Sequence, residues 1–90
     1  MIEKMPTRVP GTRISLKVHP ADNVATLLDY DVTGNRLADG TTLSSNIPFG
    51  HKVALCAINA GAPVIKYGIT IGLAITPIAS GEHVHVHNVA

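Results

Sequence analysis

Ile14-Ser15-Leu16-Lys17-Val18-His19 alternates apolar and polar side chains, the period of a half-buried strand, and Pro20-Ala21-Asp22-Asn23 after it has the composition of a turn. A second strand is predicted from Val24 to Leu28. Gly34 and Gly40 punctuate a polar stretch in which Asn35-Arg36-Leu37 forms a short strand, the Asp39-Gly40 turn follows, and Thr41-Thr42-Leu43 continues. Ile47-Pro48-Phe49-Gly50-His51-Lys52 reads as another turn, and the apolar run Val53 to Cys56 as a strand ended by Asn59-Ala60-Gly61. No segment carries a sustained 3.6-residue apolar stripe with caps, so long helices are not expected. Residues 1–13, with two prolines, a glycine and two arginines and no hydrophobic period, read as a loose arm. Order is expected to begin at Ile14, with residues 14–90 as one domain.

An internal echo sharpens this reading. Ala54, Ile58, Gly61 and Val64 recur twenty residues later as Ala74, Ile78, Gly81 and Val84, and Leu37-x-x-Gly40-x-x-Leu43 is a weaker relative upstream. The unit predicts a strand, a corner seated by the isoleucine, a glycine at positive φ, and a new strand. Two or three copies are too few for a solenoid. The expected fold is therefore mostly β: a small single domain of short strands and tight corners.

Composition narrows the function. The chain has 90 residues, is 46% hydrophobic and only 3% aromatic, so its core is built from Val, Ile, Leu and Ala and is modest in size. Formal net charge is +1 with 14% charged residues, which leaves no basic stripe for phosphates and argues against nucleic-acid binding. So much aliphatic surface with so little charge predicts cover by another subunit or domain, and suits a homo-oligomer as well. The one cysteine, Cys56, lies in the apolar run Val53-Ala54-Leu55-Cys56-Ala57 and is expected to be a buried, inert thiol. The N-terminal stretch has no apolar signal core and there is no 18-residue apolar run, so a cytoplasmic location without a membrane span is expected.

Gly81-Glu82-His83-Val84-His85-Val86-His87-Asn88 carries three of the five histidines on alternate positions. On an extended strand His83, His85 and His87 share one face and Val84 and Val86 the other. Imidazoles two residues apart can lean onto one cation, whereas three from a single strand converge less easily. Read blandly, the same residues make an exposed strand face. Glu82 either orients an imidazole or is a surface charge. Gly50-His51-Lys52 places a cation and an imidazole at a turn, and Lys66-Tyr67-Gly68 a second cation and a phenol, all suited to an anionic substrate. His19, Asp22 and Asn23 read as strand end and Asx turn. Gly61, Gly68, Gly72 and Gly81 match no phosphate-binding loop. The stretch Ile69 to Ile78 is expected to pack internally or against a partner.

Four ordered motifs, His19-Pro20-x-Asp22-Asn23-Val24, Gly50-His51-Lys52-x-Ala54-Leu55, Ile65-Lys66-Tyr67-Gly68-x-x-Ile71-Gly72 and Gly81-Glu82-His83-Val84-His85-x-His87-Asn88, closely resemble the N-terminal SAF-type domain of the altronate and galactarate dehydratase family. The resemblance spans roughly residues 14–89. It implies a β-clip fold like that of type III antifreeze proteins. It also implies a part in a sugar-acid hydro-lyase, as a small subunit or detached N-terminal domain, inactive without a large catalytic subunit that this chain lacks; relatives include a sulfolactate sulfo-lyase whose small subunit is this module. Within that reading His83, His85 and His87 bind a divalent metal such as iron, manganese or magnesium, His85 and His87 take part in catalysis, and His51, Lys52, Lys66 and Asn88 contact the small sugar-acid substrate. The rival reading is a non-catalytic carbohydrate-binding or assembly module of the same enzyme.

Overall fold

The computed structural model describes residues 11–90. These residues form eight short strands and no helix: β1 (Thr12–Arg13), β2 (Ser15–Leu16), β3 (Val24–Leu27), β4 (Arg36–Leu37), β5 (Lys52–Ala54), β6 (Pro63–Lys66), β7 (Ile69–Leu73) and β8 (His83–Val84). They pair as a four-stranded antiparallel sheet in the order β2-β3-β5-β8, a β6-β7 hairpin, and a parallel β1-β4 pair. The mostly-β reading stands, with shorter strands than the alternation predicts.

The four-stranded sheet separates two small cores. Cross-strand partners share a face, so Val24, Ala54 and Val84 lie on one side, and Ala25, Val53 and His83 on the other. The first side packs with Ile58, Val64, Ala74 and Ile78. The second packs with Leu27, Leu37, Leu43 and Ile47. A strand buried on both faces loses its alternation, which is why Val24-Ala25-Thr26-Leu27 reads as a nearly continuous apolar run.

The twenty-residue echo is a structural pseudo-twofold. Gly61 N–H donates to the Ala74 carbonyl at 2.7 Å and Gly81 N–H to the Ala54 carbonyl at 2.8 Å. Ala74 N–H returns to the Ala62 carbonyl at 2.9 Å and Ala54 N–H to the Glu82 carbonyl at 3.0 Å. Between them Ile58 and Ile78 exchange both backbone hydrogen bonds at 2.8 Å. Both isoleucine side chains are buried in the first core, each contributing on the order of 1.5–3 kcal/mol. Each repeat therefore closes the other's corner, and the glycines sit at φ +83° and +85°, where a β-carbon is strained.

Two expectations need correction. Order begins before Ile14, because Thr12 and Arg13 form β1 and Arg13 is only 1% exposed; residues 1–10 of the expected arm lie outside the described residues. The Arg13 Nε donates to Asp29 Oδ1 at 2.7 Å, Nη1 to the Ile47 carbonyl at 2.8 Å and Nη2 to the Asp29 carbonyl at 3.0 Å, which satisfies the buried guanidinium in the way a buried charge requires. Cys56 is exposed, not buried: β5 ends at Ala54, and the chain turns outward through Leu55 and Cys56. Of the stretch Ile69 to Ile78, expected to pack internally or against a partner, Ala74 and Ile78 pack internally, while Ile69, Ile71, Leu73 and Ile75 are 43–61% exposed in this chain.

Replacing Arg13 with Ala removes the buried ion pair to Asp29 and the guanidinium's hydrogen bonds to the Ile47 and Asp29 carbonyls, and should cost roughly 3–5 kcal/mol, read as a fall in the urea midpoint. The two repeat glycines should respond unequally. Gly61→Ala meets no atom within 4 Å and should lose only the roughly 1–2 kcal/mol of a left-handed alanine. Gly81→Ala drives a β-carbon into the Thr42 carbonyl, and should unfold the chain or lower its melting temperature well beyond the Gly61 variant.

Candidate functional site

His51 enters β5 through a bulge. Leu27 accepts from Gly50 N–H at 2.8 Å but donates to the His51 carbonyl at 2.9 Å, while His51 N–H turns back to Pro48. Two residues thus oppose one, and Gly50 supplies the positive φ of 83° that such a bulge uses. The pairing Val53↔His83 and Lys52↔Val84, continued by one residue, sets His51 opposite His85.

The C-terminal segment leaves the sheet sooner than expected. Only His83 and Val84 are strand; at His85 the chain enters a turn closed by Asn88 N–H on the His85 carbonyl at 3.1 Å. Val84 is 2% exposed but Val86 is 78% exposed, so the expected apolar back of the strand ends after one residue. Asn88 holds this turn. It is 2% exposed; its Oδ1 accepts from His85 N–H at 3.0 Å, and its Nδ2 donates to the His83 carbonyl at 2.8 Å and to Glu82 Oε2 at 3.4 Å. Glu82 Oε1 accepts from Ala79 N–H at 2.9 Å. Asn88, expected to touch substrate, is instead buried and engaged with the backbone, and Glu82 braces it.

Four imidazoles meet at this end of the sheet. His51 Nδ1 lies 2.9 Å from His83 Nε2, and the His51 ring stacks on His85 with centroids 4.2 Å apart. His83 is 5.0 Å from His51, 5.6 Å from His85 and 5.3 Å from His87, centroid to centroid. Ligand nitrogens of His51, His83 and His85 all fall within 4.8 Å of one another. His87 is exposed and lies outside that trio. Sequence reasoning assigned His51 to substrate and missed its place among the rings; the signal was the parity of 51 and 53 on the strand that pairs with 83.

The other expected contacts divide between two places. Lys52 shares with Ile71, His85, Val86 and Val89 an open cleft of about 270 Å³. Lys66 sits on the β6-β7 turn instead, its Nζ 3.1 Å from the Tyr67 hydroxyl and 4.5 Å from that ring's centroid. That turn is tied down elsewhere, by Gly68 N–H on Asp22 Oδ1 at 2.8 Å. Asp22 Oδ2 also accepts from His19 N–H at 3.0 Å, so Asp22 joins the segment at His19 to the β6-β7 turn.

Burial lowers the His83 imidazole below its ordinary value of 6.5, and neighbouring His51, His87 and His85 lower it further. His85 is lowered too, by loss of solvent first and then by His51, Lys52 and His87. The neutral ring is thus favoured in the folded state. A depressed histidine means that the unfolded chain binds more protons near pH 6.5, so stability is full above that pH and falls as pH drops through the folded value. Chelator-treated chain should therefore have a lower urea midpoint at pH 5.5 than at pH 7.5, and His83→Gln should flatten that slope. Asp22, raised by burial but lowered more by backbone N–H groups of Gly68, His19, Tyr67 and Val18, titrates below 3.8, outside the window.

The family model of the altronate/galactarate dehydratase SAF domain matches residues 13–90. The altronate dehydratase of Escherichia coli K12 is 45% identical over 76 residues, 81% of this chain and 15% of that protein. The galactarate dehydratase (L-threo-forming) of the same organism is 42% identical over 73 residues, 79% of this chain and 14% of that protein. The (2R)-sulfolactate sulfo-lyase subunit alpha of Chromohalobacter salexigens is 34% identical over 87 residues, 84% of this chain and 93% of that subunit. The chain thus spans about one seventh of the dehydratases and nearly all of a sulfo-lyase subunit. With its paired corners and its rim of imidazoles, it belongs to the altronate/galactarate dehydratase SAF-domain family.

Proposed function

We propose that the chain is the small β-clip component of a cytoplasmic lyase that eliminates water, or a comparable leaving group, from a small sugar acid or related hydroxy acid. It acts together with a large catalytic subunit or domain and is inactive alone. The observation that carries this reading is coverage: the same module matches a fraction of two dehydratases and nearly the whole of one sulfo-lyase subunit, as a separable partner of an elimination enzyme would.

Elimination next to a carboxylate requires a base for the α-proton and a group that assists the departing hydroxide. Lys52 suits the substrate carboxylate as a point charge, and His85, in the same cleft, offers a neutral ring that can accept or return a proton. His83 and His51 hold the His85 ring in register, and His87 lies at the outer edge of the cluster. Lys66 is assigned to a separate surface. A divalent metal fits the donor set if it is iron, or manganese less well; magnesium prefers oxygen ligands and few imidazoles. When bound, such a metal would polarise a substrate oxygen; His51, His83 and His85 would hold it, and His85 would then serve as a ligand in place of a proton acceptor.

A second reading has its own observation. Among the described residues twelve large apolar or aromatic side chains are at least 42% exposed, Ile14, Leu16, Ile69, Ile71 and Leu73 among them, and large exposed apolar surface marks an interface. In that reading the module only assembles or lids the enzyme.

Co-purification with a large dehydratase subunit, followed by assays on altronate, galactarate and sulfolactate, tests the proposal. Turnover should require both chains. His85→Gln should lower kcat by about 10²-fold or more with the complex intact. Full turnover by either chain alone defeats the proposal, and unchanged turnover in His85→Gln transfers the chemistry to the large chain and leaves the assembly role.

A further inference from the structure

The imidazole cluster contains its own constraint on what it holds. His51 is fixed by the bulge at Gly50, His83 by pairing with Val53, and His85 by the Asn88 side chain, so all three backbones are anchored independently of any ligand. Their ligand nitrogens lie between 2.9 Å, for His51 and His83, and 4.8 Å of one another. Three imidazoles at ~2.0–2.1 Å from a tetrahedral cation have nitrogens roughly 3.3 Å apart, inside that range and within reach of small ring rotations. No carboxylate belongs to the group among the described residues; Glu82 beside it is turned to Ala79 and Asn88. A nitrogen-to-nitrogen contact at 2.9 Å holds one proton at most.

We propose that His51, His83 and His85 form a three-imidazole site for a late first-row divalent cation, such as iron(II), cobalt(II) or zinc(II), with the fourth position left to water or an anionic oxygen. All-nitrogen donors select these ions over magnesium and calcium. The cation links β5, at its bulge, to β8 and the turn that follows it. His87, two residues beyond His85, is not a ligand, because its ring is exposed and lies outside the group of converging nitrogens. This assignment rests on the same cluster as the functional reading, but binding is measured on the small chain alone, so either can fail without the other.

Tag-free chain stripped with chelator is titrated with cobalt(II), followed by its visible absorption, and with zinc(II) against a chromophoric competitor. Saturation at one ion per chain is expected, with a raised melting temperature and no response to millimolar magnesium. His51→Gln and His85→Gln should each weaken binding by about tenfold or more, and His87→Gln by less than about threefold. Circular dichroism of the metal-free variants confirms that they are folded. Paramagnetic proton NMR of the unaltered cobalt form gives an independent count: three imidazole ligands are expected. Absence of saturable binding, a loss in His87→Gln equal to that in His51→Gln, or an imidazole count other than three overturns the proposal.

Discussion

The structure depends on one reciprocal constraint: two corners, twenty residues apart, each closed by a hydrogen bond from a glycine of one repeat to an alanine carbonyl of the other. Gly61 to Ala74 and Gly81 to Ala54 are the two halves, and the Ile58–Ile78 bridge between them is buried. Neither repeat is complete alone, since each corner's carbonyl partner belongs to the other. In a chain that exposes so much apolar surface, such mutual closure fixes geometry that a larger core would fix by volume. Gly81 carries the further load of passing against Thr42, and its carbonyl accepts from Ser44 N–H at 3.0 Å, so the repeat is docked to the second core at that residue.

From Gly81 only Glu82 intervenes before His83. The corner therefore sets where β8 begins, and β8 sets which face receives the first imidazole. The remaining placement comes from short-range devices. Gly50 adds one residue to the entry of β5 and brings His51 across from His85; Asn88, buried, ends the strand at Val84 and holds the His83 and His85 backbones. Two polar devices thus place rings that no apolar contact could orient.

This division explains what could be read from the sequence. The corners were legible because positive φ demands glycine and the corner demands a buried branched residue, so the constraint repeats in the letters. Arg13 was not, since a guanidinium among prolines and glycines looks solvated until Asp29 and the Ile47 carbonyl are seen around it. Cys56 was misread because apolar neighbours imply burial only while the strand lasts. Ile14, Leu16 and Val18 have the right alternation, yet each is 45–49% exposed, since periodicity reports which side chains share a face and not whether anything covers it. At the site, alternation grouped His83 with His85 correctly. It extended to His87 only because nothing in Val86-His87-Asn88 announces that the Asn88 amide will bind backbone rather than point outward.

The same lack of cover bears on chemistry. The first core occupies the side of the sheet near Val24, Ala54 and Val84, while Leu16, paired with Thr26, and Ile14, whose carbonyl accepts from Leu28 N–H at 2.8 Å, stay half exposed. Ile71 edges the Lys52 cleft and is itself 43% exposed. A lysine and imidazoles at an open rim interact through water, where charge effects are weak, and gain strength only when a second surface excludes it. The apolar residues around that rim are those which a covering surface would bury. Closure would thus draw on the apolar surface that this chain leaves open, and would complete the site in the same step.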